Sequence, residues 1–283
     1  MKINKQFQDL NRRHQKLLRE WRRNRGLCII CGECEGDEKD HLPPKVLFPA
    51  ALRSHQTEFL TYPVCSKCNR RSSNEDFLFS VLLSFGLSQE AIRRGQMPTD
   101  PDLLALYEQT HGHLIEESKS ERRKHLLLNY IGTDPSTGMD AIDTARLPVA
   151  HTTTKIVKSI YWLGTGGDIL QNHNPGWWIR PFIDTSRVNF IEKHLKVTNV
   201  DIQWGDRFIA RHITGHPANG VGGLISCSLH FYTKRALGQG MNWYLIAAPV
   251  KSTLDGDSLY QLCQTVLGEP TIEPDGSAVQ ARS

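Results

Sequence analysis

Two Cys-x-x-Cys pairs, "CIIC" at Cys28 and Cys31 and "CSKC" at Cys65 and Cys68, constrain this chain more than any other feature. Four thiolates brought together make a closed tetrahedral site for zinc that leaves no position for water, so such a site is structural. Gly32 follows Cys31 directly, and glycine accepts the positive φ that a tight knuckle turn demands. Cys34 stands at the same spacing from Cys31, which leaves Cys31/Cys34 open as another pair; the placement of Gly32 favours Cys28/Cys31. Between Cys31 and Cys65 lie 33 residues. A simple zinc ribbon needs fewer, so something is built in the interval.

Wider bounds support a metal reading of these cysteines. The chain has 283 residues and seven cysteines, with 39% hydrophobic and 23% charged residues. That is an ordinary globular composition, long enough for two cores. No apolar run of about 18 residues is present, so no membrane span is expected. The N-terminus "MKINKQFQDLNRRHQ" lacks the apolar stretch of a secretory signal. A cytoplasmic location is therefore expected, where cysteines serve as metal ligands or free thiols.

Within the interval stands "DHLPPKVLFP", from Asp40 to Pro49, and the second pair is followed at once by Asn69. The order CxxC, then Asp-His before proline, then CxxCN resembles the HNH, or ββα-metal, endonucleases, in particular their four-cysteine group that includes phage endonuclease VII. It is also similar to bacterial HNH proteins carrying a DH-x-PPK-x-LFP block. The resemblance covers about residues 27 to 78. It implies a zinc-braced ββα unit that cuts phosphodiester bonds with Mg²⁺ and leaves 5′-phosphate and 3′-hydroxyl ends. It further implies DNA rather than RNA as substrate, in a bacterial or phage setting. One departure stands out: the middle asparagine of the family, which braces the loop, is replaced here by Leu60.

The residues carry the same chemistry independently of the resemblance. His41, with an unperturbed pKa near 6.5, can take a proton from water at neutral pH. Asp40 and the amide oxygen of Asn69 are hard oxygen ligands of the kind Mg²⁺ prefers. Neighbours on a regular strand point to opposite faces, so Asp40 and His41 share a site only from a strand end or bend, which the following Pro43-Pro44 favours. If zinc pins Cys68 at the start of a helix, Asn69 is pinned with it. The zinc is thus expected to brace a second, catalytic metal site. A zinc-finger-like module that binds nucleic acid without cutting, and an interaction protein with a structural zinc, are the alternatives.

Charge distribution points to the partner. Residues 1–26 hold nine Lys and Arg against two acids, a net +7 in a chain whose total is +4. Phe7, Leu10, Leu17, Leu18 and Trp21 recur at helical spacing, so the arm reads as a helix stopped near Gly26, with one docked face and one basic face. Arg12, Arg19 and Arg23 are its candidate phosphate contacts, with Lys45, Arg53 and His55 in the following loop and Arg70 and Arg71 beside Asn69.

The remaining chain completes an α+β expectation. Glu58 to Val64 reads as the second strand of the unit, and "SSNED" offers a capping box, Ser72 with Glu75, opening the helix "FLFSVLLSF". A helical scaffold follows at 87–128. "NYIGTDPSTG" at 129–138 marks a boundary before a C-terminal α+β domain at 129–268. There a helix ends at Gly164, three β-like runs form an antiparallel sheet, and another helix lies near "SLYQLCQTVL". Residues 269–283 read as a disordered tail. His212, His216, Cys227 and His230 invite a second zinc site, but Cys227 and His230, three apart on a strand, face opposite ways. Nothing in this half names a ligand, which leaves a protein partner or a small-molecule trigger open.

Overall fold

A hairpin and the helix after it organise the N-terminal part. The computed structural model describes residues 5–48, 59–93, 105, 121–133, 140–142, 149–169, 178–181, 195–204, 208–217, 224–231 and 241–247. Among these, helix α1 (Lys5–Asn24) precedes strands β1 (Glu38–Leu42) and β2 (Leu60–Val64), which pair antiparallel with Asp40 opposite Tyr62 and His41 opposite Thr61. Helix α2 (Ser66–Arg93) starts immediately after Cys65. A short 3₁₀ turn, Lys45–Leu47, follows β1 beyond the cis Leu42–Pro43 bond. Arg53 and His55 lie outside the described residues.

The basic arm folds as its spacing predicts. Leu10, Leu17 and Leu18 are buried while Arg12, Arg13, Lys16, Arg19, Arg22 and Arg23 are exposed. Its end is fixed by Trp21, whose Nε1–H donates to Gly26 O at 2.9 Å while Gly26 N–H donates to Trp21 O at 3.1 Å. A Cβ on Gly26 would lie 2.4 Å from the Trp21 ring, so only glycine fits this stop.

Helix α2 begins six residues before the expected capping box. Asp37 Oδ1 accepts the Ser66 N–H at 2.8 Å, so an acid from the approach to β1 caps the helix. Ser72 is buried in the helix, and Glu75 pairs with Arg71 and His151 instead. The knuckle Cys65-x-x-Cys68 winds straight into the first turn, which a reading based on local capping alone does not foresee.

Helix α3 (Glu121–Leu128) packs on α2 through Leu127, against Phe77, Leu78 and Val81. Around the segment read as a boundary, β3 (Ile131–Thr133) pairs with β4 (Asp140–Ile142). Helix α4 (Val149–Thr165) ends just before Gly166 and Gly167. Strands β5 (Trp178–Pro181), β6 (Leu195–Trp204), β7 (Phe208–Pro217), β8 (Leu224–Phe231) and β9 (Met241–Ala247) form one antiparallel sheet in the order β5-β9-β8-β7-β6. The run "VDIQWGDRFIARHI" therefore spans parts of two strands, β6 and β7, which pair antiparallel with Trp204 opposite Phe208. Helices with antiparallel sheets make the described fold α+β, and no helix among the described residues is long and apolar enough to cross a membrane. The expected helix near 258–267 and the tail at 269–283 lie outside the described residues.

One core joins the two halves. Ile156, Val157, Ile160 and Leu163 of α4 are buried with Leu17 and Leu18 of α1, Tyr62 and Val64 of β2, and Ile202, Phe208 and Leu229 of the large sheet.

Candidate metal centre and adjoining polar network

Cys28, Cys31, Cys65 and Cys68 converge, with their ligand atoms all within 4.8 Å of one another. Such a tetrad can hold a metal ion such as zinc. Cys34 is exposed and outside it, so the structure selects Cys28/Cys31, and Cys28 N–H donates to Cys34 O at 2.7 Å to close the knuckle loop. Gly32 takes φ of 72°, the left-handed turn expected after the second ligand. Burial pushes the Cys28 thiol up to about 11. Burial opposes the Cys31 thiolate too, but backbone N–H groups of Cys34 and Glu33 bring it down to about 7. A bound dication would override these differences by holding all four sulfurs deprotonated.

Helix α4 contributes a charge that sequence reasoning missed. Lys158, 2% exposed, donates from Nζ to Ile30 O at 2.6 Å, inside the first knuckle. Burial lowers its pKa to about 8, against the opposing pull of Cys28, Cys31 and Cys68. A zinc tetrathiolate has a formal charge of −2, and with zinc bound Lys158 would offset half of it.

Asp40 lies in a second network. Its Oδ1 accepts the His41 backbone N–H at 2.7 Å; its Oδ2 accepts from Tyr62 OH at 3.0 Å and from Lys155 Nζ at 2.8 Å. Lys155, 1% exposed, also donates to Asp76 Oδ2, and Thr152 Oγ1 donates to Asp76 Oδ1 at 3.0 Å. Burial raises Asp76 to about 6 despite the ammonium beside it. The same two carboxylates outweigh burial at Lys155 and keep its pKa above the ordinary value.

Asn69 sits in the first turn of α2 as expected, its N–H bonded to Cys65 O at 2.9 Å. Its side-chain Nδ2 donates to Glu38 Oε2 at 2.6 Å, so its partner on β1 is Glu38. Glu38 and Asp40 are two apart and share the face of β1 that meets α2. His41 is on the other face, its ring edge-on to Phe59 with centroids 6.1 Å apart. The Asp-His pair therefore sits on regular strand, and the bend comes only after Leu42. Both Asp40 oxygens are occupied by protein donors, and the cation it holds is Lys155. An E-x-D alternation before a CxxCN knuckle is the signal that could have found Glu38; Tyr62, Asp76 and Lys155 carry no such local signal.

The nominated cations among the described residues are on the surface. Arg70 Nε donates to Ser66 O at 3.2 Å and Arg71 Nε to Glu75 Oε1 at 3.4 Å. Lys45 Nζ lies 5.6 Å from the Phe59 ring centroid. Arg12 is paired with Asp9, Arg19 Nε donates to Gln15 O at 3.2 Å, and Arg23 is exposed. Leu60, at the position of the family's middle asparagine, is buried opposite Leu42.

Comparison of the chain with protein-family models, with curated proteins and with solved structures returned no match.

Proposed function

We propose that the protein is a zinc-braced nuclease of the HNH type, hydrolysing phosphodiester bonds in nucleic acid, with DNA as the substrate. The observation that carries this reading is the tetrad itself, which ties the approach to β1 to the first turn of α2 and so sets Asn69 against the acidic face of the strand that bears His41. A bare structural staple has no use for that arrangement. Cys28, Cys31, Cys65 and Cys68 hold a structural zinc in this reading. His41 is the general base, taking a proton from the attacking water. Glu38, Asp40 and Asn69 would hold a Mg²⁺ ion, which would supply positive charge to the phosphoryl oxygens and leaving group. Because they lie across β1 from His41, ion and base can meet at one phosphate only around the strand end beyond Leu42. Lys45, Arg70 and Arg71 contribute phosphate contacts around the unit.

A module that binds nucleic acid without cutting is favoured by one specific feature. Lys155 already neutralises Asp40, and His41 lies across the strand from it. Incubating the protein with supercoiled plasmid, with Mg²⁺ or with EDTA, separates the two. Nicking that needs Mg²⁺ and falls by about 10² to 10⁴ in His41→Ala is expected. Equal nicking by His41→Ala removes that residue from the mechanism, and tight binding with no nicking under any divalent cation establishes the binding module.

A further inference from the structure

The segment Asp37–His41, "DEKDH", sorts its charges by face. The two acids within β1 are committed to its inner side, where Glu38 receives Asn69 and Asp40 receives Tyr62 and Lys155, while the exposed Asp37, just before the strand, caps α2. Lys39 and His41 alternate with Glu38 and Asp40, so they occupy the outer face of β1. Lys39 is exposed, and among the described residues no carboxylate pairs with it.

Helix α1 brings a second cation to this place. A Cβ on Gly36 would lie 3.1 Å from both Pro63 Cβ and the Trp21 indole, so the end of α1 abuts Pro63, which is the cross-strand partner of Lys39. Arg22 follows Trp21, is exposed, and like Lys39 has no carboxylate partner among the described residues. The two charges are near enough to repel: burial first, and Arg22 second, hold the Lys39 ammonium below its ordinary pKa. Two cations kept together with no anion between them are unfavourable in the free protein and are relieved by a phosphate.

We propose that Arg22 and Lys39 form a phosphate-binding pair that lays a nucleic-acid backbone along the outer face of β1 toward His41. The proposal rests on the nucleic-acid reading above and gives that substrate a path. Residues two apart on a strand are separated by about 6.8 Å, so a phosphate held by Lys39 brings its neighbour to His41. Lys45, over the Phe59 ring that also meets His41, extends the track on the far side. An acidic protein would meet the same charges, but cations placed on both sides of His41 suit the repeating charge of a nucleic-acid backbone better than the scattered acids of a protein surface.

The test uses the full-length, zinc-loaded protein and a fluorescently labelled 20-base-pair duplex, with anisotropy read over a range of salt. Arg22→Glu and Lys39→Glu should each flatten the slope of log K against log salt by about 0.9, and the double variant by about 1.8. At 0.1 M salt each lost contact weakens binding roughly eightfold. Lys67→Glu, the same charge change at an exposed site at the start of α2, is the control and should leave the slope near that of the parent. Zinc content and melting temperature should be unchanged in all four variants. Parent-like slopes in both Arg22→Glu and Lys39→Glu overturn the path while leaving nucleic-acid binding in place. Absence of duplex binding by the parent protein overturns both. Displacement of the duplex by polyglutamate at equal charge concentration assigns the pair to acidic polymers in general and overturns the nucleic-acid assignment.

Discussion

His14 shows how one side chain can fix a helix to a sheet. Its Nε2 lies 2.5 Å from Thr61 O and 3.1 Å from Thr61 N, on the edge of β2 that β1 leaves free. Unpaired strand edges invite association with other chains, and His14 covers this one. Next along the edge, Pro63 has no N–H to satisfy and its carbonyl accepts from Ile29 N at 3.1 Å. Burial lowers the pKa of His14, with the Thr61 backbone working against the shift and Lys39 adding to it. A depressed histidine makes the unfolded chain the better proton binder, so stability is fully present above the unfolded value near 6.5 and falls as pH drops through it toward the folded value. Urea unfolding should therefore show stability declining below about pH 6.5, and His14→Gln should lose that dependence. A His14→Gln protein with the parent's pH profile would assign the decline to other groups. Sequence alone does not single out His14 among Leu10, Leu17 and Leu18 of the arm. Its role depends on an edge 47 residues away, which no local pattern announces.

At the scale of elements, β1 and α4 divide between what sequence discloses and what it hides. The cysteine pairs converge as their spacing implies and Asn69 follows the second knuckle into α2, but Asp40 and His41 fall on opposite faces of β1 instead of sharing one bend. Pairing with β2 holds the strand regular as far as Leu42. Helix α4 was legible as a helix but not as a part of the site, since Lys155 and Lys158 reach partners more than a hundred residues earlier. They are three apart, so they share one helix face, and both are buried. One ammonium serves Asp40 and Asp76; the other serves the first knuckle. Removing one partner of a buried ion group leaves uncompensated charge, typically at a cost of about 3–5 kcal/mol. Lys155→Met should destabilise the protein by roughly that amount, measured by urea unfolding at neutral pH. Adding Asp76→Asn to Lys155→Met should recover part of the loss, because one of the two stranded carboxylates is then gone. A Lys155→Met protein as stable as its parent would show that the carboxylates are solvated well enough to need no ammonium.

Across the whole molecule the metal centre and the second half of the chain share one core. The sequence places a boundary at 129–138, where Gly, Pro, Asp and Ser gather, because composition reports flexible turns and not what packs across them. The core nevertheless runs from Leu10 through Cys28, Val64 and Ile160 to Phe208 and Leu229. Lys158 adds a direct bond from α4 to Ile30 between the first two metal ligands. Zinc bound by four thiolates contributes on the order of 10 kcal/mol of apparent free energy to the fold that presents them. If the tetrad holds zinc, its loss would leave the knuckles, β1, β2 and the first turn of α2 without their tie, and the buried face of α4 would lose what it packs against. Stripping zinc with a chelator should therefore raise amide hydrogen exchange in 38–42, 60–64 and 149–165 together. Restoring zinc should return protection to all three. If peptides from 149–165 stay protected in the stripped protein while those around the knuckles exchange freely, α4 belongs to a unit that stands without the metal, and the shared core is an interface between two parts that fold separately.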